Sequence, residues 1–255
     1  MELHLIKWRY LALDDERLIQ LKEKVLSGYY KKYRTTHVSN IQLEMDCDNL
    51  QWEKMVALLL KKMIERENAV IEDDEKIVFT RTTPHPVNPV PKRFIEQEKT
   101  MKKALVGNRV HNICADWGMI LQQGLSGREH AALVALVKYK DNIDKKVFLE
   151  SVLDSIKSIR LLVDKYKSCA IEKNRLDIYH ILMHVPENTP HSFYEALQAL
   201  RIFQAVLWMN GHNHIGFGRF DQYMWPYLKH DLDNHILTLD EAYKLLQEFL
   251  IAVNR

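Results

Sequence analysis

Glycine is scarce in this sequence, with 8 residues among 255. This scarcity disfavours glycine-rich phosphate loops and turn-dense all-β folds, and neither a G-x-G-x-x-G pattern nor a P-loop pattern occurs. The 3 cysteines, Cys47, Cys114 and Cys169, fit neither a disulfide framework nor a zinc ribbon in their number and spacing. We therefore expect buried thiols in a reducing compartment.

Long apolar runs are also missing. No stretch approaches the roughly 20 apolar residues that cross a bilayer, and the opening MELHLIKWRYLALDDERL lacks the features of a secretory signal. The 36 basic and 34 acidic residues give a net charge of +2, so bulk charge does not favour nucleic-acid binding. The sequence predicts a soluble cytoplasmic protein without membrane or nucleic-acid partners.

Helical periodicity dominates what is present. Apolar residues recur every three to four positions in DDERLIQLKEKVLSG, in NLQWEKMVALLLKKMIERE and in DKKVFLESVLDSIKSIRLLVDKYKSCAIEKN. This spacing places Trp52 and Phe148 on core-facing stripes. Gly28 is expected to end the first of these helices. A further helix is expected in KTMKKALVGN, and WGMILQQGLSGREHAALVALVKY should break near Gly124 to Gly127.

Two more helices begin with recognisable signals. Thr189 followed by Pro190 predicts an N-cap and first helical position, because proline suits the first turn. Thr238 and Glu241 have the spacing of a capping box. The fold class predicted is mainly α with a few short strands.

One region interrupts this pattern. Residues 77–79 are a short β-branched and aromatic run that predicts a strand. The prolines that follow fix φ and lack an N–H donor, so residues 83–91 are predicted to form a Pro-rich extended connector.

The stretch GHNHIGFGRFDQYMWPYL, residues 211–228, raises the question of chemistry. A zinc site would need about four ligands, about three of them from protein in catalytic sites, and none of the other histidines sits at a recognised ligand spacing. These are His184, His191, His230 and His235. A His-Asn-His nuclease would require a basic ββα context that is absent here. A structural loop with solvated histidines stays open, and no metal ligand is assigned.

A fourth interpretation comes from resemblance. The segments FYEALQALRIFQAVLW, GFGRFDQYMWPYLKHDL and LTLDEAYKLLQEFLIAV resemble, in that order, a block of the glycyl radical enzymes, the pyruvate formate-lyase and glycerol/diol dehydratase-like family. The matching positions are Phe193, Glu195, Ala196, Leu197, Gln198, Gly218, Arg219, Asp221, Gln222, Tyr223, Pro226, Tyr227, Asp231, Leu237, Thr238, Glu241, Ala242, Leu245 and Leu246. Earlier, HNICADWGMILQQGLSG is similar to the family segment G-H-x-x-x-D-Y-x-x-V-L-x-x-G-L-x-G.

This resemblance implies an architecture and a chemistry. Residues 1–255 would form the amino-terminal portion of a pyruvate formate-lyase-like domain, part of a ten-stranded α/β barrel. A complete member carries a glycyl radical that a separate iron–sulfur, S-adenosylmethionine-dependent activase installs, and the radical oxidises a cysteine on a finger loop. Neither the cysteine loop nor the glycyl loop is recognisable in this sequence, so the chain alone is expected to be inactive and to bind no cofactor itself.

The resemblance also implies site residues. Asp116 falls on an aspartate that positions or deprotonates substrate in dehydratase-like relatives, and an N-cap role is equally open. Asn213 and His214 occupy the family's His and Ser positions, respectively, and His214 would exchange protons with substrate. The further expected pocket residues are His111, Asn112 and Trp117.

Three residues are expected to be structural. Arg219 and Asp221 would form an ion pair that locks the loop, and Gly218 would permit its tight backbone path. A two-arginine grip on a carboxylate cannot be assigned, which favours the dehydratase-like branch over a pyruvate enzyme.

The resemblance implies several partners: a small-molecule substrate, a carboxy-terminal partner chain, the activase and a second copy of the chain. The chain would be a truncated gene product, an expressed fragment or one half of a split enzyme. The alternative function is a non-catalytic helical module for binding or assembly.

Overall fold

The computed structural model describes residues 15–34, 50–83, 112–212 and 214–255. The α-helices are α1 Glu16–Ser27, α2 Trp52–Arg66, α3 Trp117–Lys138, α4 Ile143–Glu172, α5 Leu176–His184, α6 Phe193–Met209, α7 Phe220–Asp233 and α8 Leu239–Ala252. A 3-10 helix spans Tyr29–Tyr33, and two strands, β1 Asn112–Cys114 and β2 His214–Gly216, pair in parallel. The prediction of a mainly helical fold with short strands is confirmed.

Helix α6 is the centre of the described core. Its buried residues lie on every side of the helix axis, including the polar Gln198 and Arg201. Helices α8, α7, α3 and α2 pack against it, and α4 packs against α2, α3 and α5. The polar side chains of a helix that is buried on all sides need hydrogen-bond partners within the protein. This requirement restricts the path of the chain segments around the helix.

Several predicted helix ends are confirmed. Gly28 follows α1 with φ of 74°, a left-handed conformation that glycine adopts without a Cβ penalty. Thr238 and Glu241 form the expected capping box at the start of α8. No helix within the described ranges is long and apolar enough to cross a membrane.

The predicted start of α6 is wrong. Ser192, not Thr189, is the N-cap, and its hydroxyl accepts a hydrogen bond from Glu195 N. Thr189 instead donates its hydroxyl hydrogen to the carbonyl of Gln122, 2.6 Å away. Long-range hydrogen bonding therefore prevails over the local Thr-Pro signal, and Pro190 lies before the helix.

The predicted break in α3 is confirmed at Gly124, where φ is 62° and ψ is −175°. A Cβ at this position would lie 2.4 Å from the carbonyl oxygen of Glu187. The two N–H groups that follow, of Leu125 and Ser126, donate to the carbonyls of Pro186 and Glu187, each at 3.0 Å. Glycine is required here because another backbone segment occupies the space of a side chain.

The predicted strand at 77–79 is wrong. This region belongs to an irregular stretch, residues 77–83, which we call the buried segment, and no strand pairs with it among the described residues. Phe79 has φ of 142°, outside the conformation of a regular strand. The segment is apolar because it lies inside the helical core, which a strand pattern does not distinguish from a sheet.

Side chains of the helices satisfy the backbone of the buried segment. Ile77 N donates to Glu248 Oε1 at 2.9 Å, and Thr80 N donates to Tyr166 Oη at 3.0 Å. Thr82 N and Thr83 N donate to the carboxylate of Glu67, at 2.6 and 3.0 Å. Arg201 Nη2 donates to the Phe79 carbonyl at 2.8 Å. Buried peptide groups without such partners would be strongly destabilising.

Trp52 and Phe148 are not buried as predicted. Their exposed fractions are 52% and 54%. Both line an apolar groove of about 500 Å³ between α2, α3 and α4. The periodicity of apolar residues identifies the apolar face of each helix. It does not indicate how much of that face the neighbouring helices cover.

Two predictions lie outside the described residues. These are the helix in KTMKKALVGN and all of the Pro-rich connector except Thr83.

Candidate functional site

The short parallel strand pair brings two distant parts of the sequence together. Asn112 pairs with His214, Ile113 with Ile215 and Cys114 with Gly216. Helix α3 follows β1 after two residues, and α7 follows β2 after three. The segments that carry the predicted site residues are therefore neighbours in space although about a hundred residues separate them.

Asp116 lies between β1 and α3 and is exposed. Its Oδ1 accepts a hydrogen bond from Met119 N at 3.0 Å, so it is the N-cap of α3. Within the described part of the chain this is the only hydrogen bond to the carboxylate that the structure shows. A cap uses one carboxylate oxygen and leaves acceptor capacity on the other.

Trp117 connects the helix to the second strand. It is 2% exposed, and its indole Nε1 donates to the carbonyl of Gly216 at 2.8 Å. The Trp117 ring lies 5.9 Å from the ring of Phe217. Trp117 is thus a packing residue that fixes α3 against β2, and its buried ring does not line an open surface.

An aromatic cluster lies behind the strand pair. Phe217 lies 5.3 Å from Phe249 and 6.3 Å from Phe220, and Phe220 lies 5.8 Å from Tyr223, between ring centroids. The Tyr223 hydroxyl donates to the Phe217 carbonyl at 2.8 Å. Burial, with the Cys114 thiol nearby, raises the pKa of Tyr223, which keeps the phenol neutral. The rings thus form an apolar cluster in which Phe249 is buried and Phe217, Phe220 and Tyr223 are half-buried.

Gly218 has φ of 57°, and a Cβ there would lie 2.8 Å from Cys114 Sγ. The thiol of β1 is therefore packed against the backbone that leaves β2. Both the left-handed φ and the close sulfur require glycine.

Arg219 and Asp221 form a two-point ion pair. Nε lies 3.1 Å from Oδ1 and Nη2 lies 2.9 Å from Oδ2, and both side chains are 69% exposed. The Arg219 guanidinium holds the pKa of the Asp221 carboxyl below its usual range. The Arg219 guanidinium is therefore paired with a carboxylate two residues away, at the start of α7.

The two predicted catalytic residues lie at opposite ends of the strand pair. His214 begins β2 and is exposed, whereas Asp116 follows the end of β1. The offset of four residues corresponds to at most about 13 Å along a strand. They share one strand pair but are not in direct contact through its register.

The structure describes little of three predicted pocket residues. His111 and Asn213 lie outside the described residues, and only the backbone of Asn112 is described.

Sequence reasoning missed one group of potential ligands. His184, His191 and Glu195 lie at the junction of α5 and α6, with one donor atom of each within 4.8 Å of the others. In the sequence, the two histidines are candidates only as partners of the 211–228 stretch, and Glu195 belongs to a helix motif. Their separations of seven and four residues could have suggested the group.

Comparisons with known proteins indicate the family and the fold of the chain. The family model described as pyruvate formate lyase-like matches residues 91–255. Isethionate sulfite-lyase from Oleidesulfovibrio alaskensis is 28% identical over 174 residues, which cover 61% of this chain and 20% of the relative.

Two solved structures share the fold. A structure concerning 1,2-propanediol dehydration in Roseburia inulinivorans has a TM-score of 0.77 at 18% identity. The glycerol-bound B12-independent glycerol dehydratase from Clostridium butyricum has a TM-score of 0.74 at 20% identity. In each case 95% of this chain and 40% of the larger one are covered. The chain thus matches about a fifth of its curated relative and two fifths of each solved enzyme.

Proposed function

The chain belongs to the pyruvate formate lyase-like family of glycyl radical enzymes, and we propose that it contributes one wall of the substrate cavity in a dehydratase- or lyase-type member. In this proposal the thiyl cysteine and the radical glycine come from another part of the enzyme. The wall consists of β1, β2 and the residues that follow them, with Asp116 and His214 as the reactive polar groups.

The register of the strand pair carries this proposal. It sets the backbone of Asn112 beside that of His214, and the resemblance assigns both positions to the pocket. This pairing supports a shared surface for residues that the family pattern assigns to one pocket. A helical module unrelated to catalysis would not need this pairing.

The structure supports distinct tasks for the two polar groups. Asp116 uses one oxygen to cap α3, which fixes the carboxylate in position, and the other oxygen can accept from a substrate hydroxyl. His214 is exposed, and an imidazole ring can both donate and accept a proton. Together they would orient a hydroxylated substrate and exchange its proton.

The aromatic cluster supports a dry rear wall. Radical chemistry requires that solvent be excluded, and the rings of Trp117, Phe217 and Phe249 pack without polar side chains between them. The surface that carries Asp116 and His214 is exposed in this chain. In the proposed enzyme the remaining part of the barrel covers that surface.

The state of Arg219 favours a substrate without an essential carboxylate. Its Nε and Nη2 are both engaged with Asp221, so this edge of the guanidinium is not presented to a substrate. This supports a diol-type or similar neutral substrate over a pyruvate-type one.

Reconstitution tests the proposal. The chain is mixed, without oxygen, with a polypeptide that carries the cysteine and glycyl loops and with a radical activase and S-adenosylmethionine. The expected result is a glycyl radical signal in electron paramagnetic resonance and turnover of a 1,2-diol that requires this chain. Radical formation and turnover that are unchanged when the chain is omitted would overturn the proposal.

A further inference from the structure

The junction between α5 and α6 holds a compact set of metal-type donors. The rings of His184 and His191 stack with centroids 4.0 Å apart. Glu195 Oε2 lies 3.9 Å from His184 Nε2, and one donor atom from each of the three residues lies within 4.8 Å of the others. We propose that His184, His191 and Glu195 bind one divalent transition-metal ion of the zinc class.

The donor set suits that class of ion. Imidazole nitrogen and carboxylate oxygen are common ligands of Zn²⁺, and three protein ligands leave a fourth position for water. The carbonyl oxygen of Thr189 lies 2.8 Å from His184 Nε2 and adds a further oxygen beside the site. Hard ions such as Mg²⁺ prefer oxygen ligands and would bind this set poorly.

The metal-free arrangement must change in a limited way. The lone pair of an imidazole nitrogen lies in the ring plane, so two stacked rings do not aim at one ion. His191 is exposed and can turn. The proton that His184 Nε2 shares with Thr189 O moves to Nδ1, which frees Nε2 without net proton release.

The backbone around the site is already fixed. Asn188 donates to the carbonyl of His184 through its backbone N and its Nδ2, at 3.0 and 3.2 Å. The Thr189 hydroxyl donates to Gln122 O, and His191 N donates to Glu195 Oε2 at 2.6 Å. Binding therefore costs side-chain rotation but little ordering of the main chain.

A salt-bridge clamp holds the same loop from its other side. Arg160 contacts the Glu187 carboxylate at 2.9 and 2.7 Å and the Glu129 carboxylate at 2.8 and 2.7 Å. Because Glu187 lies between His184 and His191 in sequence, this clamp limits the separation of the two histidines. Such support from the second layer of residues is typical of sites with defined geometry.

The electrostatic surroundings and the access also fit a cation. His184 is the last residue of α5, at the negative end of the helix dipole. Glu195 supplies a full negative charge, and the side chains of His184 and Glu195 are 24% and 17% exposed. His191 faces solvent and provides the route of entry. The ion would join the end of α5 to the first turn of α6.

The site is separate from the strand pair, so its test does not depend on the proposed radical chemistry. The full chain, freed of metal with a chelator, is titrated with zinc chloride in a calorimeter. We expect one ion per chain and, at a zinc concentration about 100-fold above Kd, a rise of about 5–10 °C in Tm. The same titration with magnesium chloride should give no saturable binding.

Variants assign the ligands. His191→Ala keeps the backbone N–H that bonds Glu195, and Glu195→Gln keeps an acceptor for it, so both should fold normally in zinc-free buffer. Each should weaken zinc binding by about 100-fold or more. Loss of a metal ligand should reduce the affinity at least as much as loss of a residue that hydrogen-bonds to a ligand. Unchanged zinc affinity in both variants would overturn the proposal.

One competing arrangement needs its own variant. His180 is exposed and lies one helical turn before His184, and two histidines at this spacing can chelate an ion without the junction. His180→Ala should leave the affinity unchanged. Loss of binding in His180→Ala, with binding retained in His191→Ala, would show that the helix pair is the site and the junction is not. The exposed His130 on α3 provides a matched control, His130→Ala, which should have no effect.

Discussion

The side-chain amide of Gln198 forms two hydrogen bonds with the peptide groups of Val78. Oε1 accepts from Val78 N at 2.8 Å, and Nε2 donates to Val78 O at 3.0 Å. This is the pattern that a neighbouring strand would provide, supplied by a residue in the middle of the central helix. The position of the buried segment inside the core depends on contacts of this kind.

Replacement of Gln198 by leucine should therefore be strongly destabilising. Both Val78 groups would stay buried without partners, and we expect a loss of about 2–4 kcal/mol in the free energy of unfolding. Urea denaturation measures it. Gln20→Leu, on the exposed side of α1, is the control and should change stability by less than about 0.5 kcal/mol.

The charge variant Gln198→Glu gives a sharper test of the same pair. Its ionised carboxylate would repel the Val78 carbonyl, so burial and repulsion should raise its folded pKa above the unfolded value of about 4.3. Relative to the wild type, the variant is then most stable below about pH 4.3, where the protonated acid can donate, and this is lost as pH rises through the folded pKa. A variant that becomes steadily less stable on acidification, relative to the wild type, would contradict this pairing.

Substitution by alanine should have opposite effects on stability at Gly218 and at Gly118. At Gly218 the left-handed φ and the Cys114 sulfur at 2.8 Å predict a loss of about 1–3 kcal/mol. Gly118 is helical, and its nearest neighbour, Tyr223 Cβ, would be 3.5 Å away, so Gly118→Ala should be neutral or stabilising by up to about 1 kcal/mol.

Chemical denaturation of both glycine variants, and of Gly218→Ala combined with Cys114→Ala, separates the two causes. Removal of the sulfur should recover the steric part of the cost and leave the φ part. Equal stability of Gly218→Ala and Gly118→Ala would show that the loop after β2 relaxes freely.

The stabilisation that the Arg160 clamp provides should be lost at acidic pH. Arg160 lowers the pKa of both Glu187 and Glu129 below the ordinary value. Between the lowered folded pKa and the unfolded value near 4.3, the unfolded chain binds more protons. The contribution is therefore fully present above about pH 5 and disappears as pH falls through the folded values.

Arg160→Gln should accordingly cost about 1 kcal/mol at pH 7, a modest value because these side chains keep about a third of their surface in solvent. The difference from wild type should shrink below about pH 4. Lys146→Gln, which removes an exposed pair on the same helix, should show almost no cost at either pH. A difference that stays constant from pH 7 to pH 3 would exclude the clamp as its source.

Substitutions at Asp116 can separate capping from chemistry. Asparagine is also a good N-cap, so Asp116→Asn should preserve thermal stability, whereas Asp116→Ala should cost about 1 kcal/mol. If the carboxylate acts on substrate, both variants should lose most turnover in the reconstituted enzyme. Full activity of Asp116→Asn would leave the cap as the only role of this residue.

Local signals in the sequence predicted the helices well. Gly28, Gly124 and the Thr238–Glu241 box determine their own backbone through φ preference or short-range hydrogen bonds. The family resemblance likewise rests on contiguous motifs and is confirmed by the comparisons. Information of this kind is contained within a few residues.

Long-range contacts explain what was missed. The segment at 77–79 was predicted as a strand because its side chains are apolar, but its partners are Gln198, Arg201 and Glu248, far away in sequence. The start of α6 was misplaced because Thr189 bonds to Gln122. The site predictions around Asp116 and His214 stay predictions until the variants are measured.

The helices around residues 77–83 recognise peptide N–H and C=O groups, as a chaperone groove or a protease cleft recognises an extended ligand. The helices hold this internal stretch as a cleft holds a peptide ligand. Its binding therefore does not require a covalent connection to the helices at both of its ends. A synthetic peptide of this sequence could be captured by a chain from which it has been deleted, and a nick beyond it would leave the two fragments associated.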